Sequence, residues 1–176
     1  MRLMQILLAS AVALAAIPAQ AQGQSDAPAE AAKQADAGLW VTLGTRGGPV
    51  ASPTRSQPSN LLIAGGKNYL VDVGDGSAGQ LAKKGLQTVA LEGVFISHLH
   101  FDHTGGLPAI LGLRFQTNPK NKLKVFGPPG TKELVDGLVM SMIPGATANY
   151  GVEGAPAANP RDQVEVVELR DGGTVT

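Results

Sequence analysis

His98-Leu99-His100-Phe101-Asp102-His103 is the stretch that decides the fold assignment, because it holds all three histidines of the 176-residue sequence. Within it, every histidine lies one or two positions from another nitrogen or carboxylate donor. Imidazole and carboxylate donors without sulfur suit zinc, manganese or iron. We therefore take His98, His100, Asp102 and His103 as candidate metal ligands. The alternative is a polar surface loop that happens to hold the histidines.

The residues on both sides of this run indicate how it is held. Val94-Phe95-Ile96-Ser97 is a short apolar run typical of a buried strand, and it leads directly into the candidate ligands. Gly105-Gly106 follows them, and glycine would let the backbone turn tightly beside bound metals. An ordinary junction between a loop and a helix would explain the same two glycines.

The rest of the folded region alternates between strand and helix patterns. Gly65-Gly66 separates two β-rich runs and predicts a hairpin. Pro144 to Asp162 is rich in glycine and proline and predicts a loop or a mobile lid. This alternation favours a layered α/β domain. The further predicted strands are Leu39–Leu43, Leu61–Ala64, Tyr69–Val73, Leu123–Phe126 and Val164–Leu169, and the predicted helices are Ser77–Lys84, Leu107–Phe115 and Thr131–Ile143.

The first residues have the pattern of a secretory signal peptide. Arg2 precedes an apolar run from Leu3 to Ala16, and Ala19-Gln20-Ala21 fits a small-x-small cleavage site. A membrane anchor is the alternative, but the run is shorter than the roughly 20 residues that span a bilayer. We expect a signal peptide over 1–21, a flexible linker over 22–37 and a folded domain over 38–176. Such a protein would be periplasmic or secreted, without a stable membrane anchor.

Composition excludes several classes of site. Lysine plus arginine and aspartate plus glutamate both number 14, so the formal net charge is zero. A neutral chain has no strong overall field to attract nucleic acid or an anionic membrane. Cysteine is absent, which excludes disulfides, thiolate metal sites and a cysteine nucleophile.

The histidine run after an apolar strand resembles the signature of the metallo-β-lactamase superfamily. Three further blocks resemble its ribonuclease Z and arylsulfatase-like branch, and together the similarity covers roughly Leu39 to Leu138. These blocks are Leu43-Gly44-Thr45 through Gly47-Gly48-Pro49 with Arg55 and Ser59 downstream, Asp72-Val73-Gly74-Asp75-Gly76 with Gln80-Leu81, and Val125-Phe126-Gly127-Pro128-Pro129-Gly130.

This resemblance implies an α/β fold that forms the first half of an αββα sandwich. It also implies two divalent metals, with zinc expected first and manganese or iron as alternatives. His98 and His100 would bind one ion, while Asp102 and His103 would bind the other, and Asp102 would act in catalysis. The implied activity is that of an exported hydrolase acting on small phosphate, sulfate or related esters through a metal-activated hydroxide.

Two further residues are candidates for supporting roles. Asp72 ends an apolar strand, so it is either an acceptor that orients a metal-bound histidine or a turn residue. Arg55 would meet an anionic group of the substrate or would simply be solvated. Phe101, between the ligands, would pack under the loop or line the mouth of the site.

The resemblance also implies ligands that this sequence does not contain. A third histidine, a bridging aspartate and a final histidine are expected downstream, but no histidine follows His103. The domain is therefore expected to be incomplete at its C-terminal side, with the apolar faces of Val94–Ile96 and Leu123–Phe126 exposed. The alternative function is that of a truncated or degenerate, non-catalytic metal-binding relative.

The expected partner is a small-molecule ester. Export argues against an intracellular RNA substrate, and a neutral chain offers no surface that would track a phosphate backbone. No nucleic-acid partner is therefore expected.

Overall fold

The strands form one mixed sheet whose order follows the chain. The computed structural model describes residues 38–117, 119–147 and 159–171, and within these the sheet has six strands in the order β1 to β6. The first three strands pair antiparallel, and β3 to β6 pair parallel. The strands are β1 (Leu39–Gly44), β2 (Ser59–Ala64), β3 (Lys67–Val73), β4 (Leu91–Phe95), β5 (Leu123–Gly127) and β6 (Val164–Glu168).

Helices occupy the connections between the parallel strands, as such pairing requires. They are α1 (Ser77–Lys83), α2 (Phe101–Thr104), α3 (Leu107–Thr117) and α4 (Thr131–Thr147), with short 3-10 turns at Thr88–Ala90 and Pro160–Gln163. None of the helices in the described ranges is long and apolar enough to cross a membrane. The predicted α/β class is confirmed. The predicted signal peptide, the linker and the chain after Asp171 lie outside the described residues.

The predicted hairpin is present and joins β2 to β3. Gly65 and Gly66 have φ angles of 54° and 72°, which two-residue hairpin turns require and which glycine adopts at little cost. The turn sets the pairing of Leu61 with Leu70 and of Leu62 with Tyr69. The two faces of the sheet follow from this register.

One face of the sheet carries the hydrophobic core. Leu61, Leu70, Val94 and Val125 are directly paired across four strands, and each is at most 2% exposed. They belong to one cluster with side chains from α1, α3 and α4, including Leu81, Ile110 and Val135. The expectation that the apolar faces of Val94–Ile96 and Leu123–Phe126 would be exposed is wrong for the face that holds Val94 and Val125, because these helices cover it and both side chains are fully buried.

The opposite face is apolar at its centre and partly exposed. Trp40, Leu62 and Tyr69 form one row across β1 to β3. The rings of Phe95 and Phe126 stack beside them, with centroids 4.6 Å apart and planes inclined by 14°. A shallow cavity of about 310 Å³ lies over this group, and charged side chains flank it. The second face of the sheet therefore carries exposed aromatic surface, with Trp40 53% exposed.

Helix α4 extends beyond its predicted end. The sequence predicted a loop from Pro144, but the helix continues through this proline to Thr147. Proline has no N–H and its ring crowds the carbonyl four residues earlier, so one bond to the preceding turn is lost, while later residues can still donate. After the next described residue, Asn159, the chain forms a 3-10 turn in which the Asn159 side chain accepts a bond from Arg161 N.

Candidate metal centre

The histidine run lies where three parallel strands end at the same edge of the sheet. β4 ends at Phe95, and the chain passes through Ile96 and Ser97 into the candidate ligands. Helix α2 then holds Asp102 and His103 in its single turn. His103 N and Thr104 Oγ1 both donate to the carbonyl of His100, at 3.0 and 3.2 Å. This turn explains why the ligands lie close together before any ion binds.

The candidate ligands form two pairs. His98 Nε2 lies 3.1 Å from His100 Nδ1, and Asp102 Oδ2 lies 3.6 Å from His103 Nε2. Two donors that share one tetrahedral ion at usual bond lengths are about 3.3 Å apart. The ring centroids of His98 and His103 are 4.1 Å apart, so the two pairs are adjacent. The residues present could therefore offer two donor atoms to each of two neighbouring ions.

Neither pair has a third protein ligand in the described part of the chain. Among these residues, no group of three or more His, Cys, Asp or Glu side chains is arranged to hold an ion. Water or groups from elsewhere would have to complete each coordination sphere. In the described residues, the arrangement therefore offers two pairs of candidate donors and no complete set of protein ligands for an ion.

Asp72 orients His103 through the ring nitrogen that faces away from Asp102. Its carboxylate lies 2.8 Å from His103 Nδ1, and it accepts bonds from Ser97 N at 2.8 Å and Ser97 Oγ at 2.9 Å. An Nδ1–H donated to a carboxylate leaves Nε2 free to bind a metal. Asp72 is 7% exposed and, with φ of 58°, is the one non-glycine residue with positive φ in the described ranges. Of the two interpretations left open by the sequence, the contacts support the orienting one.

The glycine-rich opening loop reaches the centre directly. Gly48 N donates to Asp102 Oδ2 at 2.9 Å across 54 positions of sequence. Gly74 and Gly106 supply the space for this packing. A Cβ at Gly74 would lie 2.2 Å from the Asp102 carbonyl, and one at Gly106 would lie 2.3 Å from the Gly74 carbonyl. A side chain at Gly106 would therefore collide with the backbone, as expected of a glycine that lets the chain turn tightly, whereas the bond from Gly48 to Asp102 was not predicted from the sequence.

The loop after β5 borders the other side of the histidine run. A Cβ at Gly130 would lie 2.9 Å from Leu99 Cδ1. The carboxylate of Glu168 accepts bonds from Lys132 N at 3.0 Å and Gly130 N at 2.8 Å. These bonds, that from Lys132 first, hold the pKa of Glu168 below its ordinary value of 4.5. The start of α4 is thus already occupied by a carboxylate and is not free for an anionic ligand.

Phe101 and Arg55 both lie on the surface. Phe101 is 73% exposed, so it does not pack under the loop. Arg55 is exposed and lines a polar cavity of about 220 Å³ together with Lys83, which was not among the residues predicted from the sequence. Gly76, Gln80 and Lys83 also line this cavity, and their spacing of four and three places them on one side of α1. That spacing is the signal that could have identified Lys83.

Known proteins are similar to this chain in fold and in sequence. The metallo-beta-lactamase fold protein YhfI from Bacillus subtilis matches with a TM-score of 0.56 and 16% identity over 79% of this chain and 48% of its own. Human tRNase Z, short form, matches with a TM-score of 0.51 and 33% identity over 60% of this chain and 39% of its own. Ribonuclease Z of Mycobacterium marinum is 36% identical over 137 residues, which are 76% of this chain and 48% of that protein.

The fold and these similarities place this chain in the metallo-β-lactamase superfamily, in its ribonuclease Z branch, and proteins of this superfamily generally bind metals. Residues 41–151 match the family described as Anti-Pycsar protein Apyc1, and because the match covers more than half of the sequence, the chain belongs to that family. The chain spans about half the length of the Mycobacterium marinum ribonuclease Z that it matches.

The expectation of no nucleic-acid partner is wrong. Two of the similar proteins are nucleases that act on RNA by name, the ribonuclease Z of Mycobacterium marinum and the human tRNase Z. The physical error was to argue from the net charge, which sums over the chain and does not describe how cations are grouped locally. Arg55 and Lys83, far apart in sequence, line the same cavity.

Proposed function

We propose that this chain contributes the His98–His103 half of a two-metal centre that hydrolyses phosphate esters, with the phosphodiesters of nucleic acid as the first substrate class. The names of the similar ribonucleases support that class. Small phosphate, sulfate and related esters form the second class. Turnover assays decide between the two substrate classes, because the chain spans only about half of the relative it matches.

The pairing of donor atoms is the observation that carries this proposal. His98 with His100 would hold one ion, and Asp102 with His103 would hold the other, at separations of 3.1 and 3.6 Å within each pair. We take zinc as the first candidate, with manganese or iron as alternatives, since the donors are imidazole and carboxylate. When bound, such ions lower the pKa of a metal-bound water and stabilise charge on a phosphoryl oxygen.

The surrounding residues fix the orientation of these donor atoms. Asp72 fixes the ring of His103 through Nδ1, so that Nε2 faces Asp102. Gly48 N holds Oδ2 of Asp102, which sets the direction of that carboxylate. Donors whose orientation is already fixed lose less freedom when an ion or substrate arrives. Asp102 is the residue to which we assign the catalytic role.

Hydrolysis is tested by turnover of the purified chain with added zinc or manganese. The substrates are a single-stranded RNA, an aryl phosphodiester, an aryl sulfate and a lactone. Because the described residues supply only two ligands for each ion, we expect slow phosphodiester turnover that a chelator abolishes and that His98→Ala lacks. Turnover that persists in both cases would contradict the assignment of the centre.

A second candidate function is metal binding without catalysis. The observation in its favour is that no three candidate ligands surround one point in the described residues. Stoichiometric zinc binding that His98→Ala weakens, together with no turnover of any of the four substrates, would support this candidate over the first.

The last part of the proposal is that the protein is exported. Arg2, the apolar run that follows it and Ala19-Gln20-Ala21 support a signal peptide removed after Ala21. Mass spectrometry of the protein from periplasm or culture medium should then find Gln22 as the first residue. Recovery of Met1 on protein confined to the cytosol would contradict export and would leave the hydrolytic proposal untouched.

A further inference from the structure

We propose that Ser97 is a positioning residue of the candidate metal centre, and that its hydroxyl extends the orienting effect of Asp72 to His98. The chain of hydrogen bonds from His98 through Ser97 to Asp72 is here called the Ser97 relay. Through it, one carboxylate fixes one imidazole ring in each of the two pairs of candidate donors. The inference deepens the proposed function and rests on the two pairs of donors assigned there.

The side chain of Ser97 lies between a carboxylate and an imidazole. Its Oγ is 2.9 Å from Asp72 Oδ2 and 3.1 Å from His98 Nδ1. The backbone is held as well, because Ser97 N donates to Asp72 Oδ1 at 2.8 Å. Ser97 Oγ is also 3.5 Å from His103 Nδ1, but Asp72 Oδ2 is the closer partner of that ring nitrogen, at 2.8 Å. The hydroxyl therefore has two close partners, Asp72 on one side and His98 on the other.

The protons available to these groups set the direction of each bond in the Ser97 relay. A carboxylate only accepts, so the single hydroxyl proton of Ser97 is donated to Asp72. Ser97 Oγ then has only lone pairs left for His98, so Nδ1 of that ring carries a proton and donates it to Oγ. A neutral imidazole has one N–H, and Nε2 of His98 is therefore without a proton.

An unprotonated Nε2 is the form in which the ring of His98 can bind a metal ion. This nitrogen lies 3.1 Å from His100 Nδ1, so it faces the other donor of its pair. His103 reaches the same state through its direct contact with Asp72, which leaves its own Nε2 unprotonated. Asp72 therefore selects the same tautomer in both histidines, directly in His103 and through Ser97 in His98.

The tautomers can be measured from the nitrogen chemical shifts of the imidazole rings in a long-range proton–nitrogen correlation spectrum. The sequence has three histidines, so the spectrum of the full chain contains three sets of ring signals. The sample is kept at about pH 8.5, where an ordinary imidazole is neutral, in buffer containing a chelator. We expect the Nδ1–H form for both His98 and His103. Neither bound metal nor turnover enters this measurement, so failure of the proposed function would not alter it.

Ser97→Ala separates the Ser97 relay from a general structural role. Without the hydroxyl, His98 should populate both tautomers, whereas His103 should keep its Nδ1–H because Asp72 holds it directly. Zinc affinity, measured against a competing chelator, should fall about tenfold, the lower end of the range for loss of an orienting partner. The lower end is expected because Ser97 is exposed, so water can take the place of its hydroxyl. Ser97→Thr keeps a hydroxyl and should preserve both the tautomer of His98 and the zinc affinity.

The matched control is Ser141→Ala. Ser141 is an exposed serine of α4, and its hydroxyl donates to the carbonyl of Leu138 within the same helix. This variant also removes one exposed hydroxyl, and it should leave the three sets of ring signals and the zinc affinity unchanged.

Three results would overturn the proposal. One is an unprotonated Nδ1 on His98 in the wild type. The second is a Ser97→Ala variant whose His98 signals and zinc affinity match the wild type. The third is an equal change in all three rings of Ser97→Ala that Ser97→Thr shares, which would indicate a loosened loop. A wild type that has the expected tautomers but binds no zinc would support the Ser97 relay while contradicting the proposed metal centre.

Discussion

The carboxylate of Asp72 lies 2.8 Å from Nδ1 of His103, and the same group accepts two bonds from Ser97. Asp72 belongs to the end of β3, whereas Ser97 and His103 follow β4. One buried carboxylate therefore connects the end of one parallel strand to both ends of the histidine loop.

Replacing Asp72 with asparagine should weaken metal binding while leaving the fold intact. Asparagine tolerates positive φ, so the backbone angle of 58° remains accessible. The neutral amide is a poorer acceptor for His103, and loss of such an orienting partner costs about 10–100-fold in metal affinity. Zinc titration against a competing chelator, with a thermal melt of each variant, measures both effects. Asp75→Asn is the control, and an equal loss of affinity in it would refute the orienting role.

Removing one candidate ligand should have a larger effect. In His100→Ala, the donor 3.1 Å from His98 Nε2 is gone, and one ion is left with a single protein ligand in the described region. We expect zinc affinity to fall by more than about 100-fold, beyond the loss typical of an orienting partner. Leu99→Ala is the control, since it changes the adjacent exposed side chain in the same loop. Unchanged zinc stoichiometry in His100→Ala would mean that the run is a structural loop.

Two glycine-to-alanine substitutions should change stability in opposite directions. A Cβ at Gly74 would lie 2.2 Å from the Asp102 carbonyl, whereas one at Gly79 in α1 would meet nothing within 4 Å. Gly74→Ala should lower the free energy of unfolding by about 1–3 kcal/mol, the usual effect of overpacking. Gly79→Ala should raise it by about 0.5–1 kcal/mol through helix propensity. Urea denaturation of both variants tests this, and a stable Gly74→Ala with normal zinc binding would contradict the packing described.

Glu168 should contribute to stability at neutral pH and lose that contribution in acid. Its folded pKa is depressed, chiefly by the bonds from Lys132 N and Gly130 N, so its stabilising effect is present above the ordinary value of 4.5. The effect is lost as pH falls from there through the folded pKa. Glu168→Gln should therefore have a lower melting temperature than the wild type at pH 7. The difference between the two melting temperatures should narrow below pH 4.5.

The control for this experiment is Glu165→Gln on the same strand. Its carboxylate is exposed and forms no hydrogen bond or ion pair in the described residues. If the difference in melting temperature between Glu168→Gln and the wild type stays constant down to pH 2, the two backbone bonds do not depend on the negative charge of Glu168.

Local chemistry explains what the sequence predicted correctly. The Gly65-Gly66 turn and the apolar runs at β2, β3, β4 and β5 are properties of short segments, and the structure reproduces them within a few residues. The histidine run was recognisable because its members are neighbours in sequence, and one helical turn brings them together. The end of α4 was missed because a proline near the end of a helix removes only one bond.

Contacts between distant segments explain most of what the sequence did not predict. The bond from Gly48 to Asp102 spans 54 residues, and nothing in either segment alone indicates it. The shared position of Arg55 and Lys83 depends on how the opening loop lies against α1. The net charge of the chain does not show this grouping. Reliance on the net charge led to the mistaken exclusion of a nucleic-acid partner.

The second face of the sheet carries a tryptophan whose fluorescence reports on coverage of that face. Trp40 is the only tryptophan in the sequence, it is 53% exposed, and it lies in the same row as Leu62 and Tyr69. Its emission should therefore be that of a partly hydrated indole and should move to shorter wavelength whenever another layer covers this face. Because Trp40 is on β1 and the histidine run follows β4, coverage of the sheet can be followed by intrinsic fluorescence without a label at the metal centre.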